Sequence, residues 1–490
     1  MQIKTLYFQG ITTNNENMKP IKGNVLILGA TGGVGKVVVQ KCVKIPQVFT
    51  RIAGASRDIS KYEELNRLLV KPIEAYQVDA RDKKQLVALL EKVKPDLLIN
   101  VGVPYWNLNA MQACLETGTH YLDTACWEPE DEARYRHKEQ WDFHNAFKEA
   151  GLMGLIGCGF DPGVSNAMVA FARSRYFKNI RRVQIWDCNG GSHGKTFASN
   201  FNLVINLREL LGQIRYWLKG KWRYTEPLCS QNAIHYPYDF EEIGERILYL
   251  MYHEELESLA KNFPEIEEMS FWMTFGEQYL RCLRMFVEIG MTSIDKISLP
   301  QNSISPSAFL KKVIPDDKLV EEHSFFSTRR CARVIEKHRQ ILEEVGLTSE
   351  TPILLKETAI SPLEFLQKVL PEPSTLGENY TGKTNIGCIF EGTGLDGKPK
   401  RYRIYNICDH AECYREVSSQ AVSYTAGVPA VAGAMMMLTG KWLKPGVYNV
   451  EELDATPFLK AVSDYGLPMK EQFDDQVPQI LNIEAAAKPI

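Results

Sequence analysis

The chain has 490 residues, long enough for two or three folding units. Hydrophobic residues make up 44% and charged residues 24%, a balance that excludes a disordered or fibrous protein. With 57 basic and 60 acidic residues the formal charge is -3, so no global field draws the chain to nucleic acid or to an anionic membrane, and small molecules bound at local sites are the expected partners.

In chain order, residues 1–18 are polar and include LYFQG at Leu6–Gly10, which reads as a disordered or tag-derived extension. Asn24–Leu28 (NVLIL) is an apolar strand followed by GATGGVG at Gly29–Gly35 and a helix-like run. Strand, glycine turn and helix in that order predict a dinucleotide site: Gly29 for the bend, Gly32 and Gly33 for close approach to a pyrophosphate, with Thr31 and Val34 completing the turn. The second strand, Arg51–Ala55, ends in Ser56-Arg57 where an NAD-selective site carries an acid; a hydroxyl and a guanidinium suit a 2′-phosphate, so the expected cofactor is NADP(H).

Further alternation of helix and strand follows, with Asp79 expected at the adenine edge and Val101 and Pro104 after the strand Leu97–Val101. Residues 19–156 are predicted to be a Rossmann domain with a doubly wound parallel sheet, completed by part of the chain around 420–450. Asp123, Cys126 and Glu128 fall after the strand end Tyr121-Leu122-Asp123, at the carboxyl edge where such sheets bind ligands. Residues 157–420 are expected to form a second α/β (α+β) domain for substrate and catalysis, and 421–490 a helical segment and tail. No run of about 18 apolar residues is present, and Ala430–Leu438 reads as a buried helix, so no membrane span is expected. Eleven irregularly spaced cysteines without a CxxC pair suggest reduced thiols in a cytoplasmic protein, and no metal-ligand spacing is visible.

The motifs NVGVPYWN (Asn100–Asn107), YLDTACWEP (Tyr121–Pro129), IGCGFDPGVSN (Ile156–Asn166), SNFNLVINLRE (Ser199–Glu209), YHEELESL (Tyr252–Leu259), YTGKTNIGC (Tyr380–Cys388) and the segment Asn406–Ala430 occur in family order. The chain resembles the saccharopine dehydrogenase-like family, in its carboxynorspermidine (carboxyspermidine) synthase branch. The resemblance implies NADPH-dependent reductive condensation of L-aspartate 4-semialdehyde with 1,3-diaminopropane or putrescine, in a homodimer. It also places Tyr105, Cys126 and Asp161 along the active site, with Gly159 and Pro162 beside the nicotinamide. Asp161 has a second reading as a helix cap.

A substrate carrying a carboxylate and amines needs an arginine and amide donors alongside acids. Arg208 is the candidate anion anchor, Asn200 and Asn202 are candidate donors, and Asp123 or Glu128 candidate amine partners; His193 and His410 are candidate proton carriers. A saccharopine-type enzyme would instead need a second anion anchor, and a non-catalytic NADP-binding regulator would need only the first domain. Residues 288–316 recur at 344–372 with a constant offset of 56 and no gap, including Gly290/Gly346, Pro306/Pro362 and Pro315/Pro371. The resemblance implies one copy, so the first reads as an internal duplication or as joined alternative exons.

Overall fold

The computed structural model describes residues 23–130, 134–314 and 327–483; the polar extension at 1–18 lies outside them. The apolar run Asn24–Leu28 sits inside a seven-stranded sheet. Its spatial order is Gly446–Asn449, Met153–Ile156, His120–Asp123, Leu97–Asn100, Asn24–Leu28, Arg51–Ser56 and Glu74–Gln77. Every pairing in it is parallel. Strands such as Leu97–Asn100 and Met153–Ile156 are buried at every position, as a sheet covered by helices on both faces demands. Strand order reverses between Asn24–Leu28 and Leu97–Asn100, which opens a crevice at their carboxyl ends, directly after which come Gly29 and Val101.

The second domain is a nine-stranded mixed sheet. The long strands Phe177–Asn189, Lys383–Gly394 and Pro399–Asp409 form its middle, and only Glu268–Thr274 runs parallel to a neighbour, Phe177–Asn189. The α/β class is therefore as expected. The segment 421–490 is more than a helical tail, because Gly446–Asn449 joins the first sheet and Met469–Phe473 the second. It thereby ties the two domains together.

The apolar stretch is longer than Ala430–Leu438. It belongs to a helix, Ala421–Leu438, that is long and apolar enough to cross a membrane by length and composition, yet 89% of it is buried inside the fold. Gly427 lets it lie directly on the helix Gly33–Val43: a Cβ there would come within 2.8 Å of the Val37 side chain. This is the packing of a core helix.

Both copies of the duplicated segment fold. Each gives two short strands and a helix, Pro306–Val313 in the first and Pro362–Val369 in the second. The cap is Ser305 in one and Ser361 in the other, and each accepts from a backbone N–H of the first turn.

Candidate active site

The glycine turn has the geometry of a dinucleotide cradle. Gly29 has φ +85 and donates its N–H to the Ala55 carbonyl at 2.8 Å, and a Cβ on it would meet the Gly102 nitrogen at 2.9 Å. Gly35 has less room still, since its Cβ would lie 2.1 Å from the Gly29 oxygen. Gly32 caps the helix Gly33–Val43 with no side-chain hydrogen bond, so the first-turn N–H groups remain open to an anion. Thr31 and Val34 flank it, half-buried. Gly33 has a different reason from the one expected: its missing side chain makes room for the Ser423 hydroxyl, 2.7 Å from where a Cβ would stand. Gly35→Ala is accordingly expected to abolish the quenching or enhancement of NADPH fluorescence on mixing, whereas Gly276→Ala, where a Cβ meets nothing within 4 Å and φ is negative, should leave it intact.

Beyond the second strand, the Ser56 hydroxyl donates to the Asp58 carbonyl and Gln77 holds the Arg57 carbonyl at 3.1 Å. The exposed Arg57 guanidinium makes no hydrogen bond or ion pair among the described residues and is available to a phosphate. Asp79 is not available to an adenine in the same way. Its carboxylate is gripped by Arg81, at 3.0 Å from Nε to each oxygen and 2.6 Å from a terminal nitrogen, which also holds its pKa low. Val101 donates to Leu28 across the crevice floor, and Pro104 opens a short helical turn beside it.

At the carboxyl edge, Asp123 is not a free acid. The Tyr121 hydroxyl, the Gln140 amide and the Gly157 N–H all donate to its carboxylate at 2.7–2.9 Å. Burial pushes its pKa up to about 7, but its role is to stitch strand His120–Asp123 to the following turn. Cys126 is buried, and its N–H is taken by Glu254. Burial and the Glu254 charge push the thiol well above its usual range, so it is no thiolate nucleophile. The ligand atoms of Cys126, His137 and Glu254 lie within 4.8 Å of one another, a grouping that sequence spacing did not show. Burial drives His137 down to about 3, leaving it neutral.

The DPG turn places Asp161. Gly159 donates to the Pro162 carbonyl at 2.8 Å, and Gly163, at φ +128, packs against Gly159 so closely that a Cβ would fall 2.3 Å from its oxygen. Pro162 faces inward onto Gly157, so Gly159 and Pro162 shape this turn. Asp161 does not cap the helix Val164–Arg175, because Asn166 takes the Gly163 N–H. Both Asp161 carboxylate oxygens are buried without a well-formed hydrogen bond among the described residues; the nearby Ser165 hydroxyl donates to the Phe160 carbonyl at 3.1 Å.

Around it converges a group of acids from four other elements. The helix Leu203–Leu211, capped by Asn202, contributes Arg208 and Glu209. The strand Phe177–Asn189 contributes Asp187, the loop after the fifth strand Glu128, and the start of the helix Glu255–Asn262 contributes His253, Glu254 and Glu255. The His253 ring stands between Glu255 at Nδ1 and Glu209 at Nε2, 3.4 Å from the latter, and stacks on Phe271. Burial alone would lower its pKa, but the two carboxylates overcome this and hold it well above the usual histidine range. Burial, reinforced by like charges, raises Glu209 and Glu128 to about 7 and Asp187 to about 6, and lifts Asp161 well above the carboxylate range. Among the described residues, one oxygen each of Glu128 and Glu255 lacks a hydrogen-bond partner, and the Glu209 oxygen facing His253 is held by that ion pair alone. Buried acids thus outnumber cations, and the cluster is short of positive charge.

The other predicted residues serve that cluster from outside. Arg208 donates to the Pro129 and Glu130 carbonyls at 2.8 and 2.7 Å and to the Tyr105 hydroxyl at 3.2 Å, clasping the first domain's loop to the second domain's helix. Its Nε alone is unpartnered, so it is a clasp before it is an anion anchor. Asn202 is a helix cap, its side chain accepting from Val204 and Ile205. Asn200 accepts from the Tyr380 hydroxyl. His410 stacks on Tyr380 at 3.7 Å with both nitrogens committed: Nδ1 accepts from the Ala421 N–H, so Nε2 carries the proton and donates to Asn189. Burial lowers its pKa to about 4, which makes it a structural histidine. His193 accepts from the Lys195 N–H beside the same tyrosine. Sequence reasoning missed Asp187, Glu209 and the His253-Glu254-Glu255 run; three titratable residues in a row ahead of an apolar helix were the available signal.

Residues 25–155 match the saccharopine dehydrogenase NADP binding domain, and residues 159–467 the saccharopine dehydrogenase C-terminal domain. Carboxyaminopropylagmatine dehydrogenase from Synechocystis sp. is 42% identical over 93% of this chain and 98% of its own length. Carboxynorspermidine synthase from Vibrio cholerae is 33% identical over 91% and 95%. The apo saccharopine dehydrogenase (L-Glu forming) from Saccharomyces cerevisiae shares the fold, with a TM-score of 0.66 at 17% identity, covering 92% of this chain and all of that one. The chain belongs to the saccharopine dehydrogenase-like family and is an NADP-dependent oxidoreductase.

Proposed function

We propose that the protein joins L-aspartate 4-semialdehyde to an amine that carries a second cationic group at its far end, by NADPH-dependent reductive condensation in polyamine biosynthesis. The observation that carries this reading is the buried cluster of Asp161, Asp187, Glu209 and Glu255, with unpartnered carboxylate oxygens and a single imidazole among them. Such a site is stabilised by a bound cation and repels a dicarboxylate, which disfavours the saccharopine reaction. The names of the relatives point the same way, toward a diamine or toward agmatine.

In this reading the amine nitrogen adds to the aldehyde carbon, water leaves, and the resulting imine is reduced to a secondary amine. NADPH, when bound, supplies the hydride. The open first-turn amides after Gly32, together with Arg57, are the residues that would hold its phosphates. Burial and the neighbouring acids lift the Asp161 carboxyl well above the usual carboxylate range, which suits it to give a proton to the leaving oxygen, while Glu209 and Glu255, with His253 between them, orient the ammonium and Glu209 takes its proton. The Arg208 clasp keeps the loop Cys126–Glu130 over the cluster and limits water access.

With NADPH and the semialdehyde fixed, 1,3-diaminopropane, putrescine and agmatine are added separately and cofactor oxidation is followed, with product mass as confirmation. At least one should trigger oxidation, and lysine with 2-oxoglutarate should not. Oxidation that runs equally fast without any amine would mean simple aldehyde reduction and end the proposal. The residues named here all lie outside 288–343, so deleting Glu288–Glu343 and joining Val287 to Glu344 is expected to preserve turnover. A folded deletion variant without turnover would place that segment in the catalytic unit.

A further inference from the structure

The two copies of the duplicated segment do not sit side by side as repeats do; they grip each other about a local two-fold axis. The strand Ile297–Ser298 is equivalent to Ile353–Leu354, and Ser303–Ile304 to Ala359–Ile360. Each pairs with the non-equivalent strand of the other copy. Ile297 faces Ile360, and the same contact advanced by one repeat, Ile353 facing Ile304, is also present. The reciprocity extends to single hydrogen bonds. The Leu299 N–H donates to Thr358 at 2.6 Å and its counterpart Leu355 to Asn302 at 2.7 Å; Ser307 donates to Ser349, and Leu363 to Ser293, both at 3.1 Å. On the axis Phe309 stacks on Phe365, its own equivalent, with ring centres 3.9 Å apart and both side chains fully buried. At the edge the two copies differ: Glu288 binds Lys337 and His338, whereas its equivalent Glu344 accepts from the Thr196 hydroxyl at 2.7 Å.

Contacts in which residue i of one unit meets j of the other, and j meets i, define an isologous interface. A surface complementary to its own two-fold image is complementary to any further copy of itself. One copy alone would expose two strand edges together with the phenylalanine, a combination that invites pairing. We propose that this segment is a self-association element whose partner is a second copy of the same segment. In the two-copy chain the face is satisfied internally, whereas a chain with one copy uses it to join a second chain. This is independent of the reaction proposed above.

The subunit count of the full chain and of the Glu288–Glu343 deletion is measured by light scattering after size exclusion. The deletion variant should contain twice as many subunits per particle as the full chain, and Phe365→Asp within it should return the count to that of the full chain with unchanged circular dichroism. Equal counts for the full chain and the deletion variant would overturn the proposal. Should the deletion not fold, Phe309→Asp in the full chain decides it: breaking the internal stack frees the second copy, so the count should double, and an unchanged count overturns the idea.

Discussion

Glu209→Gln is expected to lower kcat/KM for the amine by about 100-fold or more, the cost of removing one partner of a buried charge pair, and at the same time to stabilise the ligand-free protein at pH 8. Glu209 is 6% exposed, its oxygen facing His253 is held by that ion pair without a hydrogen bond, and burial raises its pKa from 4.5 to about 7. An acid that binds its proton more tightly folded than unfolded adds stability below pH 4.5, and that stability is lost as pH rises through 7. At pH 8 the ionised Glu209 therefore costs on the order of 3 kcal/mol, which glutamine removes. At pH 5.5 the wild-type side chain is already protonated, and the Tm difference should shrink. A saturating dicationic amine should raise the wild-type Tm more at pH 8 than at pH 5.5, because only the ionised cluster attracts it, and this pH contrast should weaken in Glu209→Gln. A variant that is less stable at both pH values with unchanged amine kinetics would make Glu209 a scaffold residue.

The same residues show how far the sequence could be read. The turn Gly29–Gly35 and the Ser56-Arg57 ending were legible because their chemistry is local: a few consecutive residues set the backbone path and the charge at a strand end. Asp123 was legible in place but not in role, since a strand-end acid looks the same whether it faces a ligand or accepts three hydrogen bonds from its own scaffold. Arg208 and Asn202 were likewise legible in place only, since no spacing shows that one also clasps the two domains and the other also caps a helix. The acid cluster was beyond sequence reasoning, because it assembles from five elements that meet only when both sheets have formed. The duplication could be seen as a repeat, but its reciprocal pairing depends on a two-fold axis that no spacing encodes.

Arg57→Asp should raise the KM for NADPH roughly 100-fold while changing that for NADH by no more than about threefold, since a charge-assisted bond to a phosphate is replaced by repulsion and an unphosphorylated ribose loses nothing comparable. The position is well defined. Ser56 pairs in register with Gln77, whose amide also fixes the Arg57 carbonyl, so the guanidinium projects from the carboxyl end of the second strand next to the glycine turn. No acid forms an ion pair with it among the described residues; the nearby Asp79, which feels its charge, is bound by Arg81. The new carboxylate would face a neighbouring acid already bound to its own arginine, so the substitution changes local charge without breaking a structural pair. Salt provides a control, because the wild-type preference for NADPH rests on an exposed ion pair and should decline between low and high ionic strength, whereas that of Arg57→Asp should be flat or rise. Equal loss with both cofactors would show that residue 57 supports the turn and does not read the phosphate.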